Sequence, residues 1–279
     1  MVIRDELSTV IDILKKSGND NPIFEAHLIF RHFLYMSPMQ LVLDGGNELS
    51  DSQFEAFMAA VDRRCKNEPI QYFLNSQEFM GLDFYVDKNV LVPRADTETL
   101  VEHILKHFVN KSFTGLEIGC GSGCITVSLA YYNKNAHMRS IDISPQAVEI
   151  AAENALKNGV SERTCFDVSD VFTYDAYGKY ELIVSNPPYI ETKEIEGLDD
   201  DVRIYEPHIA LDGGDDGLRF YRRITQMSST LLKKGGMLAF EVGYSQAESV
   251  CELMNNSFTD ITVVKDLCGV NRVVSVLLI

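Results

Sequence analysis

The chain has 279 residues, 46% of them hydrophobic and 24% charged, which suits a globular protein with room for two domains. A formal charge of −16 argues against docking on a phosphate backbone, which needs a basic footprint, and is compatible with a basic protein partner. No apolar run approaches a membrane span, Met1–Glu6 lacks signal-peptide character, and six cysteines without a His cluster suggest neither a disulfide scaffold nor a metal site, so a cytoplasmic enzyme away from membranes is expected.

Residues 1–73 read as short helices. Val10, Ile11, Ile13 and Leu14 lie at helical spacing until Gly18. Asn21-Pro22 opens a second helix with Ile23, Ala26, Ile29, Phe30 and Phe33 on one face, and Ser37-Pro38 starts a third. Ser50 and Gln53 have capping-box spacing ahead of Phe54, Phe57, Met58 and Val61. These stripes read as core rather than as a ligand groove. Residues 74–95 read as a β-hairpin linker built on Phe79–Val86, with a turn at Asp87-Lys88-Asn89.

Residues 96–279 alternate strands and helices, as a doubly wound, mostly parallel α/β sheet does. Gly115–Ile118 ends a strand, and Gly119-Cys120-Gly121-Ser122-Gly123 turns into an amphipathic helix from Cys124. Alternate glycines let backbone approach a ligand, but Cys124 stands where the dinucleotide fingerprint wants its last glycine. Met138–Asp142 reads as the next strand, with Asp142 placed to grip ribose hydroxyls. An N-cap role competes for Asp142, although Ser144-Pro145 can cap the following helix equally well.

Tyr180–Ser185 is strand-like and runs into Asn186-Pro187-Pro188-Tyr189. Two prolines hold the backbone extended and remove two N–H donors, leaving acceptors beside an aromatic plane. That loop suits a planar group carrying an NH2, and it reads equally as a stiffened turn. Ile190–Gly217 is long and acidic, a lid anchored by Ile195, Leu198, Ile204 and Tyr205, in which Arg203 and His208 serve structural contacts. Ile261–Val264 and Arg272–Leu278 form an antiparallel hairpin at one sheet edge.

Together the acidic-x-Gly-x-Gly-x-Gly turn, the strand-end Asp142 and Asn186–Tyr189 resemble class I S-adenosylmethionine-dependent methyltransferases. With Glu68–Tyr72, Val92–Glu98, Tyr205–Leu211, Gly213–Leu218 and Lys265–Arg272, nearly the whole chain resembles the protein-(glutamine-N5) methyltransferases of peptide chain release factors. Asn75, Ala95 and Val171 depart from that pattern, the last where some members carry a tryptophan near adenine.

The resemblance implies a seven-stranded Rossmann-like sheet behind a small helical substrate-docking domain, and a monomer without a direct nucleic-acid partner. It implies S-adenosylmethionine at Glu117, Gly119, Cys120, Gly121, Ser122, Gly123, Asp142, Ile143, Asp170, Val171 and Asn186, leaving S-adenosylhomocysteine as product. It also implies catalysis by Asn186, Pro187 and Tyr189 on a release-factor glutamine held with Pro188 and Arg94. Two other substrates for the same acceptor loop are a ribosomal-protein glutamine and the adenine N6 of DNA, and a non-catalytic nucleotide-binding adaptor is a further alternative.

Overall fold

The computed structural model describes residues 1–174, 178–254 and 257–279. Two compact units emerge, one of Met1–Asn75 with Asp199–Tyr205 and one of Ser76–Leu198 with Glu206–Ile279.

The first unit is helical: α1 (Ile3–Lys16), α2 (Pro22–Leu34), α3 (Pro38–Leu43), α4 (Asp51–Cys65) and α5 (Ile70–Leu74), joined by α9 (Asp200–Tyr205) from later in the chain. Ser37 and Ser50 start α3 and α4 as capping boxes. Each serine hydroxyl accepts an amide N–H three residues on at 3.3 Å, and the Gln40 or Gln53 side chain accepts the serine N–H in return. Val10, Leu14, Ala26, Ile29, Phe30, Phe57 and Val61 form the core, with the Phe30 and Phe57 rings 4.5 Å apart. Ile23, expected on that face, is 61% exposed; it sits one turn before Ala26, the first core residue of α2.

The second unit opens with a hairpin of β1 (Gln77–Phe79) and β2 (Leu82–Phe84). Its turn is Met80-Gly81, with φ of 52° and 69°, rather than Asp87–Asn89. Two positive φ values make the two-residue turn whose twist matches flanking strands. The Asp87–Asn89 turn does form beyond the hairpin, where the Val90 N–H donates to the Asp87 carbonyl at 3.1 Å.

There follow α6 (Ala95–His107), β3 (Phe113–Ile118), α7 (Cys124–Tyr132), β4 (Ala136–Asp142), α8 (Pro145–Lys157), β5 (Thr164–Val168), β6 (Tyr180–Ser185), α10 (Arg219–Leu231), β7 (Leu232–Glu241), α11 (Ala247–Leu253), β8 (Phe258–Lys265) and β9 (Asn271–Leu278). The seven sheet strands lie in the order β5-β4-β3-β6-β7-β9-β8, all running in one direction except β9, which is antiparallel to both its neighbours.

Burial on both faces explains the unbroken apolar run of β6: Leu182 and Val184 pack with α6 and α7, and Ile183 packs with α10 and α11. The same alternation sends Met237 and Ala239 of β7 one way and Leu238 and Phe240 the other. Helix α7 is not amphipathic as expected, because every residue from Ile125 to Ala130 is buried. The order of connections reverses between β3 and β6, so the carboxyl ends of these two strands flank the crevice where open α/β sheets take ligands.

The segment Ile190–Gly217 is tied at its ends, where the Ile190 N–H donates to the Leu211 carbonyl at 3.0 Å and the Gly213 N–H to the Ile190 carbonyl at 2.8 Å. It carries regular structure: 3-10 turns at Thr192–Gly197 and His208–Ala210, with α9 between them. Ile195 is buried, but Ile204 is 55% exposed and anchors nothing, whereas the Tyr205 hydroxyl donates to the Lys66 carbonyl at 2.8 Å. Arg203 pairs with Asp200 at 2.7 Å.

Candidate active site

A cavity of about 290 Å³ opens at the crevice between β3 and β6, close to the lower end of the ~300–1,000 Å³ typical of ligand pockets. Its walls bring together Glu117, Gly119, Cys120, Gly121, Ser122, Asp142, Ile143, Asp170, Val171, Asn186, Pro187, Pro188 and Arg94 from distant parts of the chain.

Gly119 and Gly121 hold φ of 76° and 51°, and a Cβ on either would meet no protein atom within 4 Å, so this backbone faces open space. Gly123 lies outside the walls. A Cβ there would come within 2.9 Å of Ala151 Cβ, which makes it the close-packing point of α7 on α8.

Asp142 is not a helix cap. The Ser144 hydroxyl caps α8 by accepting the Ala147 N–H at 3.2 Å. The Asp142 carboxylate instead takes the Gly121 N–H on Oδ2 and the Ser144 N–H on Oδ1, each at 2.9 Å. It thereby fixes the glycine turn while keeping lone pairs toward the cavity.

Glu117 is buried, and burial pushes its carboxyl up to about 8 against the pull of the Thr126 and Ser140 hydroxyls. Ser140 Oγ donates to Glu117 Oε2 at 3.2 Å, and Oε1 has no hydrogen-bond partner among the described residues. A buried carboxyl with one idle oxygen at a cavity wall suits a cation or donor from a ligand, which would favour its ionised form. The Cys120 and Cys124 thiols are pushed up by burial and remain protonated.

Sequence reasoning missed the far end of the cavity. Phe172 and Phe220 line it with ring centroids 5.4 Å apart, and the Arg219 guanidinium lies 4.5 Å above the Phe172 ring. The Phe172 N–H donates to Asp170 Oδ1 at 2.9 Å, and Arg223 Nε to the Val171 carbonyl at 2.9 Å, which hold Asp170, Val171 and Phe172 in place. An aromatic directly after Asp170-Val171 was the available signal.

At the other end, Asn186 Nδ2 donates to Thr97 Oγ1 at 3.2 Å. Tyr189 does not line the cavity. It packs against the β7–α10 core, its carbonyl accepts Gln246 Nε2 at 2.9 Å, and burial pushes its phenol up to about 12. Arg94 holds both carboxylate oxygens of buried Glu206, at 2.8 and 2.9 Å, and so ties the stretch before α6 to the segment that follows α9.

Residues 94–199 match the model of the methyltransferase small domain, and residues 7–74 that of the PrmC N-terminal domain. The release factor glutamine methyltransferase of Clostridium acetobutylicum is 36% identical over 278 residues, covering 98% of both chains. That of Geobacter sulfurreducens is 39% identical over 273 residues, covering 98% of this chain and 95% of its own. Among solved structures, a methyltransferase from Pyrococcus furiosus superposes with a TM-score of 0.52 at 17% identity, covering 82% of this chain and 98% of its own. The ribosomal protein L11 methylase of Lactobacillus delbrueckii subsp. bulgaricus gives 0.51 at 18%, covering 69% and 83%, and both show the Rossmann-like methyltransferase fold. With full-length relatives at this identity, the chain belongs to the release factor glutamine methyltransferases.

Proposed function

We propose that this protein transfers a methyl group from S-adenosylmethionine to the side-chain amide nitrogen of the glutamine in the Gly-Gly-Gln motif of peptide chain release factors. The observation that carries this reading is Asn186-Pro187-Pro188 at the wall of the cavity, in a chain of this family.

The cavity fits the cofactor by its donor set. Glu117 Oε1 is an idle acceptor suited to a cationic methionine end, Asp142 offers free lone pairs to ribose hydroxyls, and Gly119 and Gly121 leave room for close approach. Val171, Phe172 and Phe220 offer flat apolar surface to adenine, which answers the missing tryptophan. When bound, S-adenosylmethionine supplies an electrophilic methyl on a sulfonium.

An amide nitrogen is a poor nucleophile because its lone pair is delocalised into the carbonyl. Asn186 Oδ1 and the Pro187 carbonyl each accept one N–H of the incoming glutamine and aim the lone pair. Pro188 keeps that backbone extended, and the Tyr189 ring, packed against the core behind the loop, holds it in place. Orientation of this kind lowers a barrier by roughly 7–11 kcal/mol in the best model reactions. Once alkylated, the nitrogen is acidic enough to release its proton.

The test offers wild-type protein labelled S-adenosylmethionine with release factor, ribosomal protein or DNA in parallel. Label is expected in the release factor and is to be lost by about 10²-fold or more in Asn186→Ala with cofactor affinity retained. Label in either of the others instead would redirect the assignment.

A further inference from the structure

Pro187 and Pro188 carry no N–H, so this part of the acceptor loop offers its surroundings only carbonyls and side chains. A donor for the loop comes from Gln246, the residue before α11. Its Nε2 donates to the Tyr189 carbonyl at 2.9 Å and, more weakly, to the Gly217 carbonyl at 3.4 Å, while its Oε1 accepts the Gly243 N–H at 3.2 Å. One side-chain amide thus joins the end of the acceptor loop, the turn ahead of α10 and the turn after β7.

The sense of that amide is fixed by its partners. A backbone carbonyl can only accept and a backbone N–H can only donate, so Nε2 faces Tyr189 and Oε1 faces Gly243. The Gln246 backbone is held as well: its N–H donates to the Gly243 carbonyl at 3.0 Å, and its carbonyl accepts the Val250 N–H of α11 at 2.9 Å. Packing around the loop is close. A Cβ on Gly213 would come within 2.8 Å of Tyr189 Cα and 2.9 Å of the Pro188 carbonyl oxygen. One on Gly243 would come within 2.8 Å of Gln246 Oε1 and 3.3 Å of the Tyr189 ring, so glycine is what lets these stretches meet.

We propose that Gln246 is a positioning residue for methyl transfer: its side-chain amide sets the carboxyl end of the acceptor loop, and through it the place of Asn186 and Pro187 against the cofactor. This rests on the reading of that loop as the group that orients the acceptor nitrogen. Gln246, Gly217 and Gly243 do not line the cavity, so the amide acts on the loop from outside the space the cofactor would take. Loss of its donor frees the Tyr189 carbonyl, and a misplacement of about 1 Å at the reacting groups can cost about 10²-fold in rate.

Two variants of similar size separate positioning from mere support. Gln246→Glu keeps an acceptor for the Gly243 N–H, loses both donor bonds and turns a carboxylate toward two carbonyl oxygens. Gln246→Met fills the space with neither a donor nor a strong acceptor. With release factor as substrate, kcat should fall about tenfold or more in Gln246→Glu and several-fold in Gln246→Met. KM and the calorimetric affinity for S-adenosylmethionine should stay nearly unchanged in both. In proton–nitrogen NMR spectra the backbone signals of Tyr189 and Ile190 should shift in both variants, while that of Gly121, on the cofactor side, stays in place. Should one variant fail to fold, the other decides; failure of both would make Gln246 a support of the fold and overturn the proposal. Wild-type kcat in a folded variant, unmoved Tyr189 and Ile190 signals, or a kcat that falls in step with cofactor affinity would overturn it too. A wild type that methylates no glutamine would overturn the proposed function and the positioning role with it, whereas shifted Tyr189 and Ile190 signals would still show that Gln246 holds the loop.

Discussion

Asn75 illustrates how a departure in sequence becomes intelligible once its backbone is seen. It departs from the pattern that the sequence resembles, and it ends α5 at φ 52°, the left-handed region that glycine and asparagine tolerate best. Its Nδ2 also donates to the Tyr72 carbonyl at 3.1 Å, so the substitution preserves the helix stop. Asp142 is the converse case: sequence left ribose and cap open, and the hydroxyl of Ser144 takes the cap. Asp142→Ala removes a charged acceptor from two backbone N–H groups, at about 1.5–3 kcal/mol for each such bond. Calorimetry should show S-adenosylmethionine affinity lowered at least tenfold, and unchanged affinity would remove Asp142 from the cofactor site. For Tyr189 the ring, not the hydroxyl, carries the proposed role. Tyr189→Phe should keep most of the wild-type kcat while Tyr189→Ala loses it, as measured by steady-state kinetics. Of the cavity residues that sequence did not disclose, Thr97 and Phe220 come from helices distant along the chain and no local pattern marks them, whereas Phe172 directly follows Asp170-Val171.

At the scale of elements, legibility followed burial. Strand β6 reads correctly because it is covered on both faces and its apolar run is continuous. Helix α7 misleads for the same reason, since its serine and threonine are as buried as its leucine. The hairpin turn is misplaced because Met80, at φ 52°, is no usual turn former, whereas Asp87–Asn89 looks like one. Around the acceptor loop the packing is close. Gly217 has φ 67°, and a Cβ there would run into the Tyr189 carbonyl oxygen and Gln246. Gly217→Ala should therefore cost about 1–3 kcal/mol in a denaturant melt and lower kcat with it, because relief of the clash must move Tyr189. A neutral effect on both would show that this loop yields freely.

Over the whole molecule, the helical unit carries no catalytic motif, yet α2 and α3 expose Phe24 at 64%, Met39 at 72% and Leu43 at 73%. We propose that this unit docks the body of the release factor, with the −16 charge assisting encounter. Phe24→Ser with Leu43→Ser should raise KM for intact release factor several-fold and leave methylation of a short Gly-Gly-Gln peptide unchanged. Equal effects on both substrates would reduce the helices to a stabilising role.

Stability should depend on pH through two carboxyls, Glu117 raised to about 8 and Glu241 to about 7 from an ordinary 4.5, chiefly by burial. Between the ordinary value and these, the unfolded chain has lost protons that the folded one keeps, so stability falls as pH rises. Without cofactor, Glu117→Gln should melt several degrees above wild type near pH 8 and equal to it at a pH below the unfolded value, in thermal scans.

The central claim, that the Asn186 loop presents a release-factor glutamine to the sulfonium methyl, is tested most directly by locating the methyl group. After reaction with S-adenosylmethionine, fragmentation mass spectrometry of the release-factor peptide should place one methyl on the side-chain nitrogen of the Gly-Gly-Gln glutamine. It should be absent when the enzyme carries Asn186→Ala. A methyl on any other residue, or an undiminished yield from that variant, would contradict the account.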